Sequence, residues 1–354
     1  MIKRLLLLAT AVLIIFTACK GKETTESTEI FIDEEQISVI TEDEQQQSEI
    51  QEEQINTSGN PTTHVSHQLH RPSSSLSSIT SGPTGLGVNT REIDPVNYVN
   101  PDLNILRQMG AEPYLVSFLA GEQFYREGNL DRALIEFNAS ISRNSEFIES
   151  YISRGNIWMR RREYSRAIDD FTRAIRLDSS RAELFNYRGF ARVSLTPNNT
   201  REINSAIEDF TRAISLNRNY VDALINRSHA FYQIGNYSAV IEDCNRIIAL
   251  EPSNAIIWNR RGSAWYARED DDKAISDFSE AIRLNENYAA AWYNRANSRY
   301  NKGDFDRALA DLNRCLIINP SFAAAYTSRG NIFRLQGNSE SAEADFAAAR
   351  RFSR

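Results

Sequence analysis

Residues 255–288 read AIIWNRRGSAWYAREDDDKAISDFSEAIRLNENY, and residues 289–322 read AAAWYNRANSRYNKGDFDRALADLNRCLIINPSF. Both stretches are 34 residues long and place an aromatic residue fourth, a small residue eighth, an alanine twentieth and a large apolar residue twenty-fourth. Side chains spaced by three and four residues lie on one face of an α-helix. The polar run in the middle, Glu269–Asp272 in the first stretch, separates two such helices. The two stretches therefore predict consecutive copies of one helix–turn–helix element.

The same pattern recurs seven times from Tyr114 onward. Its period is 34 residues except in the third copy, which has 39 because five extra residues lie near Thr196–Thr200. We expect these residues to bulge between the two helices of that copy, either as a tolerated insertion or as a partner contact. We call the copies repeats 1 to 7, and they span residues 114–147, 148–181, 182–220, 221–254, 255–288, 289–322 and 323–354.

This combination of small and aromatic residues at a 34-residue period resembles the tetratricopeptide repeat. The resemblance covers residues 114–354. It implies an all-α fold, a right-handed superhelical solenoid of about seven helix–turn–helix repeats (an αα-superhelix), in which each repeat buries its apolar faces against its neighbours. We refer to the first helix of each repeat as the A helix and to the second as the B helix.

In this family the A helices line a concave surface, where the present sequence repeats tyrosine and asparagine. An asparagine amide both donates and accepts hydrogen bonds, so a row of them can hold successive peptide groups of an extended chain. Tyrosine adds rigid, amphipathic contact area. The resemblance thus implies a groove for a protein or peptide partner, and the simpler alternative is a solvated polar face. The predicted groove residues are Tyr125, Asn156, Asn186, His229, Tyr232, Asn259, Tyr266, Asn297, Tyr300 and Asn331.

A charged column departs from the family pattern. The seventh residue is arginine in repeats 2 to 7, where many family members have leucine, and an aspartate precedes the large residue of the B helix in the same repeats. These columns predict half-buried bidentate ion pairs that join A and B helices, either within a repeat or between successive repeats; anion binding is the alternative. The two columns are Arg154, Arg188, Arg227, Arg261, Arg295 and Arg329, and Asp170, Asp209, Asp243, Asp277, Asp311 and Asp345.

Residues 1–18 have the features of a signal peptide. Two basic residues precede the apolar run Leu5–Phe16. At about 1.5 Å of helix per residue, this run is far shorter than the ~30 Å hydrocarbon core of a bilayer. Its end, Phe16-Thr17-Ala18-Cys19, resembles the lipobox of bacterial lipoproteins. The resemblance implies a lipid on Cys19 that anchors the chain to a membrane of the bacterial cell envelope, facing the periplasm or the surface. Plain secretion and an uncleaved anchor are the alternatives.

The acidic character of the chain is confined to its N-terminal part. Residues 1–60 carry 12 acidic and four basic groups, whereas residues 114–354 carry 31 acidic and 33 basic groups. Residues 19–100 are rich in Glu, Gln, Ser and Thr, which bury too little apolar surface to fold, so we predict a disordered tether. Residues 101–113 are predicted to form a short capping helix before repeat 1. The nearly neutral array is a poor surface for nucleic acid.

No set of residues in the sequence predicts catalysis, a cofactor or a metal centre. His64, His67 and His70 are three residues apart, but nearby prolines argue against the helix that would bring them together. Cys244 and Cys315 lie in predicted core columns two repeats apart, where we expect them to act as small apolar residues and not to form a disulfide. The sequence therefore favours a non-enzymatic scaffold or assembly adaptor anchored to a membrane. The alternative is a ligand-binding or transporter-associated lipoprotein that holds a small molecule in the superhelix lumen.

Overall fold

The computed structural model describes residues 103–108 and 110–353, and its regular elements there are all α-helices. No helix among these residues is both long and apolar enough to cross a membrane. The predicted signal peptide, Cys19 and the predicted tether lie outside the described residues. The helices are α1 (Leu103–Gln108), α2 (Pro113–Arg126), α3 (Leu130–Arg143), α4 (Ile148–Arg160), α5 (Tyr164–Leu177), α6 (Ala182–Leu195), α7 (Thr200–Leu216), α8 (Val221–Gln233), α9 (Tyr237–Leu250), α10 (Ala255–Ala267), α11 (Asp271–Leu284), α12 (Ala289–Asn301), α13 (Phe305–Ile318), α14 (Ala323–Leu335) and α15 (Ser339–Phe352).

The described residues form two compact blocks. The first block ends at Pro252 and contains α1 to α9, and the second begins at Ser253 and contains α10 to α15. From α2 onward, even-numbered helices are A helices and odd-numbered helices are B helices, while α1 contacts α2. Each A helix packs on the B helix of its repeat, and within a block each B helix packs on the next A helix. This order confirms the predicted all-α fold of stacked helix–turn–helix repeats.

The A–B turn of every repeat except repeat 3 contains one residue with a positive φ angle. Arg162 and Glu269 have φ angles of 58° and 65° in repeats 2 and 5, a region that a Cβ atom disfavours. In every repeat except repeat 2, the residue before the B helix is Asn or Asp. Its side chain accepts a hydrogen bond from a backbone N–H in the first turn of that helix. A glycine supplies the positive φ in four repeats, at Gly128, Gly235, Gly303 and Gly337.

The insertion of repeat 3 is partly helical. Helix α7 has 17 residues, whereas the neighbouring B helices α5 and α9 have 14. Asn199 caps α7, because its side-chain oxygen accepts hydrogen bonds from the backbone N–H groups of Arg201 and Glu202. The capping residue therefore moves the helix start toward the N-terminus, and the remaining inserted residues lengthen the turn.

In five of the seven repeats, a glycine on the A helix, at the eighth position of the repeat, faces a phenylalanine on the B helix of the same repeat. In repeat 5, a Cβ atom added to Gly262 would lie 2.7 Å from Cε1 of Phe278. Glycine faces phenylalanine in the same way in repeats 1, 2, 3 and 7. In repeat 6, where the B helix carries the smaller Leu312, the A helix carries Ala296. A larger residue at one of the two positions is thus accompanied by a smaller one at the other, which preserves the close packing of the two helices.

Candidate functional site

The arginine and aspartate columns meet inside each repeat. In repeat 4, Arg227 on α8 donates from Nε and Nη2 to the carboxylate of Asp243 on α9, at 2.9 and 2.6 Å. The two side chains are 15% and 2% exposed. Of the two arrangements open from the sequence, the structure shows the one within a repeat. The pairs are Arg154–Asp170, Arg188–Asp209, Arg227–Asp243, Arg261–Asp277, Arg295–Asp311 and Arg329–Asp345.

Five of these arginines also donate a hydrogen bond to the B helix of the preceding repeat. Nη1 of Arg227 donates to Oγ1 of Thr211 on α7 at 3.0 Å, and Nη1 of Arg295 donates to Oγ of Ser279 on α11 at 3.0 Å. The guanidinium of Arg295 lies 4.8 Å from the ring centroid of Trp292. A planar guanidinium offers donors at its edge and a face for stacking, which lysine does not. These arginines therefore link their own A and B helices to the B helix before them.

Burial perturbs three of the paired aspartates. Desolvation raises the pKa of Asp170, Asp243 and Asp277 above the ordinary aspartate value, although the hydrogen bond and charge of the arginine act in the opposite direction. In repeat 2, Asp170 accepts a further hydrogen bond from Nε1 of Trp158 at 3.1 Å. Because both carboxylate oxygens are engaged inside the repeat, these columns serve the architecture of the stack.

Four predicted groove residues of the second block are half-buried on its A helices. Tyr266 lies on α10, Asn297 and Tyr300 lie on α12, and Asn331 lies on α14. Oδ1 of Asn297 accepts a hydrogen bond from Oγ of Ser328 at 3.3 Å. Each of these side chains is held in place while part of it remains accessible to solvent. We call these four residues the second-block face.

The first block carries four predicted groove residues in equivalent places. Tyr125 on α2, Asn156 on α4, and His229 and Tyr232 on α8 are half-buried. The guanidinium of Arg160 lies 5.2 Å from the ring centroid of Tyr125. We call Tyr125, Asn156, His229 and Tyr232 the first-block face.

The remaining two predicted groove residues, Asn186 and Asn259, lie in the interior, with exposed fractions of 1% and 4%. Oδ1 of Asn259 accepts a hydrogen bond from Nδ2 of Asn294 at 3.0 Å, and its Nδ2 donates to Oη of Tyr288 at 3.3 Å. These side chains join neighbouring A helices and do not belong to the groove surface. The prediction that Asn186 and Asn259 line the groove is therefore wrong. An amide at the fifth position that meets an amide on the next A helix is buried by that contact.

The partners of the interior asparagines were missed in the sequence, although a signal was present. Asn186 has contacts equivalent to those of Asn259, with Asn226 at 3.0 Å and Tyr220 at 3.4 Å. Repeats 3 and 5 alone have asparagine at the fifth position. The same two repeats end in tyrosine and are followed by a repeat with asparagine sixth. This co-occurrence of three residues indicates a structural network between A helices.

The chemistry of the other predicted positions is plain. Cys244 and Cys315 are buried and form no disulfide, and burial raises the pKa of Cys315 to about 12. Within the described part of the chain, no group of three or more His, Cys, Asp or Glu side chains could hold a metal ion. The histidines at positions 64, 67 and 70 lie outside it.

Three family models match the sequence. Two models described as tetratricopeptide repeat match residues 118–182 and 289–322, and one described as TPR repeat matches residues 262–303. The comparison with curated proteins found no match. Together the matched segments fall in both blocks and in repeats 1, 2, 5 and 6.

Solved structures show the same fold over most of the array. A tetratricopeptide repeat protein from Parabacteroides merdae is 20% identical, with a TM-score of 0.54 over 68% of this chain and 94% of that one. The C-terminal part of a TPR repeat-containing protein from Cytophaga hutchinsonii is 15% identical, with a TM-score of 0.56 over 66% and 95%. YrrB, described as a TPR protein with an unusual peptide-binding site, is 19% identical, with a TM-score of 0.49 over 55% and 97%. At these identities the likeness concerns the fold alone. The family models therefore identify residues 118–182 and 262–322 as tetratricopeptide repeats, and the helix pairs of the array have the fold of that family.

Proposed function

We propose that the protein is a non-enzymatic interaction scaffold whose A helices bind an extended segment of another protein. The observation that carries the proposal is the recurrence of half-buried asparagine and tyrosine on A helices of both blocks. Repeats of this family generally act as protein-interaction scaffolds, which agrees with this assignment. The first-block face and the second-block face are the proposed contact surfaces.

The second-block face suits recognition of a peptide backbone. Oδ1 of Asn297 is engaged by Ser328, so the amide presents its Nδ2 donor to a carbonyl oxygen of a bound segment. Tyr266 and Tyr300 add flat contact area with few rotatable bonds. The four residues of this face carry no formal charge. Binding should therefore depend weakly on ionic strength, unlike binding through surface charges.

We also propose that a lipid on Cys19 holds the scaffold at a membrane of the bacterial cell envelope, where it acts as an assembly adaptor. The support is the basic start, the short apolar run and the Thr17-Ala18-Cys19 ending. Several acyl chains on one cysteine would give stable attachment, at about 0.8 kcal/mol per buried CH₂. With a coil of roughly 90 residues before repeat 1, the array would reach about 50 Å from its anchor.

The contact surface is tested by chemical crosslinking in intact cells. We expect a triple variant, Tyr266→Ala, Asn297→Ala and Tyr300→Ala, to lose crosslinked partners that the wild-type chain retains. Its circular dichroism at the temperature of the crosslinking should match the wild type, although the loss of the half-buried rings lowers its melting temperature. The matched control replaces three exposed B-helix residues of the same block, Ser276, Arg283 and Ile317, by alanine. Equal partner sets in the two variants would refute the proposed surface.

The anchor is tested by metabolic labelling with an alkyne fatty acid. Label should enter the wild-type chain and be lost in Cys19→Ala, since the thiol is the acylated group. The control variant Cys315→Ala makes the same substitution at a buried cysteine, and it should remain labelled. Equal labelling of the wild type and Cys19→Ala would rule out acylation at this residue without affecting the proposed contact surface.

A further inference from the structure

Two consecutive A helices, α10 and α12, carry a set of buried polar side chains. The proposed binding function makes no use of these side chains. Apart from backbone groups, the interior of a helical repeat is normally apolar. The set consists of Asn259 and Ser263 on α10, and Asn294 and Ser298 on α12, with exposed fractions of 4%, 3%, 2% and 0%.

Two of these side chains are satisfied within the protein and two are not. Asn259 has the partners described above, and Oγ of Ser263 donates to the backbone carbonyl of Asn259 at 3.0 Å. In contrast, Oδ1 of Asn294 and Oγ of Ser298 have no hydrogen-bond partner among the described residues. A buried polar atom without a partner costs about 1–3 kcal/mol, so native proteins rarely leave two together.

Both atoms face repeat 5. Asn294 does so through its bond to Asn259. The tenth residue of an A helix packs toward the preceding repeat, as Ile157 of repeat 2 packs with Phe137 of repeat 1. By the same register Ser298, the tenth residue of repeat 6, faces repeat 5. Asn294 and Ser298 are four residues apart on α12 and therefore lie one above the other on that side.

Ser298 is the exception in its column. In repeats 2 to 7 the tenth residue is isoleucine or alanine everywhere else. Ser298 is shorter than the isoleucines at positions 157 and 332, which are fully buried. The asparagine contact recurs at Asn186 and Asn226, but there the tenth residue of the following helix is Ala230. A second polar group beside the asparagine is thus specific to repeats 5 and 6.

We propose that Asn294 and Ser298 bind one water molecule on the side of α12 that packs against repeat 5. The water donates to Oδ1 of Asn294 and accepts from the hydroxyl of Ser298. Two or more polar partners in an enclosed place are what an internal water requires. The unpaired amide oxygen and hydroxyl supply the hydrogen bonds. The inference is independent of the partner-binding surface.

A crystal structure of the full chain at about 2 Å resolution or better tests the site directly. We expect a density peak within hydrogen-bond distance of both Oδ1 of Asn294 and Oγ of Ser298. The proposal is overturned if no peak is present and the Ser298 hydroxyl bonds the backbone carbonyl of Asn294, as Ser263 bonds that of Asn259.

Thermal unfolding provides a second test with a matched control. Ser298→Ala and Ser263→Ala each gain the same helix propensity, and each loses one hydroxyl hydrogen bond if the water is present. The two variants should then have melting temperatures within about 1 °C of each other. If Ser298 has no partner, its replacement removes a buried unpaired hydroxyl. A melting temperature of Ser298→Ala that lies above that of Ser263→Ala by about 2 °C or more would therefore overturn the proposal.

Discussion

Replacing Arg227 by methionine should destabilise the first block strongly. Methionine keeps most of the apolar stem but removes the bidentate contact with Asp243 and the hydrogen bond to Thr211 on the preceding B helix. The side chain of Asp243 is 2% exposed, so its carboxylate would remain buried without its cation.

The magnitude follows from the burial of the pair. Removing one partner of a fully buried ion pair costs about 3–5 kcal/mol. The Arg227 side chain retains 15% exposure, which lets solvent screen part of the loss, so we expect the lower end, about 3 kcal/mol. At roughly 2–4 °C per kcal/mol for a domain of this size, the melting temperature should fall by about 6–12 °C.

The assay is thermal unfolding by circular dichroism, with two further variants. Adding Asp243→Leu to Arg227→Met removes the unpaired charge and should recover most of the loss. Arg283→Met removes an exposed ion pair with Glu280 and should change the stability by less than about 0.5 kcal/mol. The reasoning is refuted if Arg227→Met melts like the wild type, or if the double variant melts no higher than the single one.

The cost of Arg227→Met should also depend on pH. Burial already raises the pKa of Asp243, and loss of the arginine raises it further. A carboxyl group whose pKa is higher in the folded than in the unfolded state takes up a proton when the protein folds. Folding of the protein therefore becomes more favourable as the pH falls through the folded-state pKa of that group. The difference in melting temperature from the wild type should narrow as the pH falls from about 7 toward 5. A difference that widens would contradict the assignment.

Three further outcomes can be measured by standard methods. Gly262→Ala should cost about 1–3 kcal/mol in urea unfolding because its Cβ would meet the Phe278 ring, and adding Phe278→Leu should restore part of the loss; no cost from the alanine would contradict the contact. Glu269→Gly should raise the free energy of unfolding by about 0.5–1 kcal/mol, since glycine tolerates a φ of 65°. A lower urea midpoint than that of the wild type would contradict this expectation. With the other cysteines changed to serine, Cys315 should react with Ellman's reagent at pH 8 only after denaturation, and rapid native reaction would disprove its burial.

The repeat register and the Arg–Asp pairing could be predicted from the sequence because the seven repeats can be compared with one another. Six repeats carry both Arg and Asp, while repeat 1 has Ala120 and Glu136 at those positions. Residues that are lost together within one repeat are expected to contact each other there. The helix pairs likewise follow from apolar and small residues at fixed helical spacing. The sequence therefore contained the fold and its main polar contacts within a repeat.

Contacts between repeats were harder to foresee. The third bond of five of the paired arginines ends on a side chain of the preceding B helix, such as Thr211, whose polar character is ordinary for a helix surface. Asn259 and Asn297 both fall in columns that face a groove in this family, yet Asn259 is buried and Asn297 is half-buried. Their difference depends on which residue the next A helix places opposite them. A column position alone does not report that neighbour.

The exchange of volume between Gly262 and Phe278 restricts the order in which mutations can accumulate. Repeat 6 shows that the alternative combination, Ala296 with Leu312, is compatible with the fold. Changing glycine to alanine first would place a Cβ atom 2.7 Å from the phenylalanine ring. Changing phenylalanine to leucine first leaves a cavity, which weakens the repeat but requires no displacement of the helices. A lineage or a designer moving between the two combinations must therefore alter the B helix before the A helix.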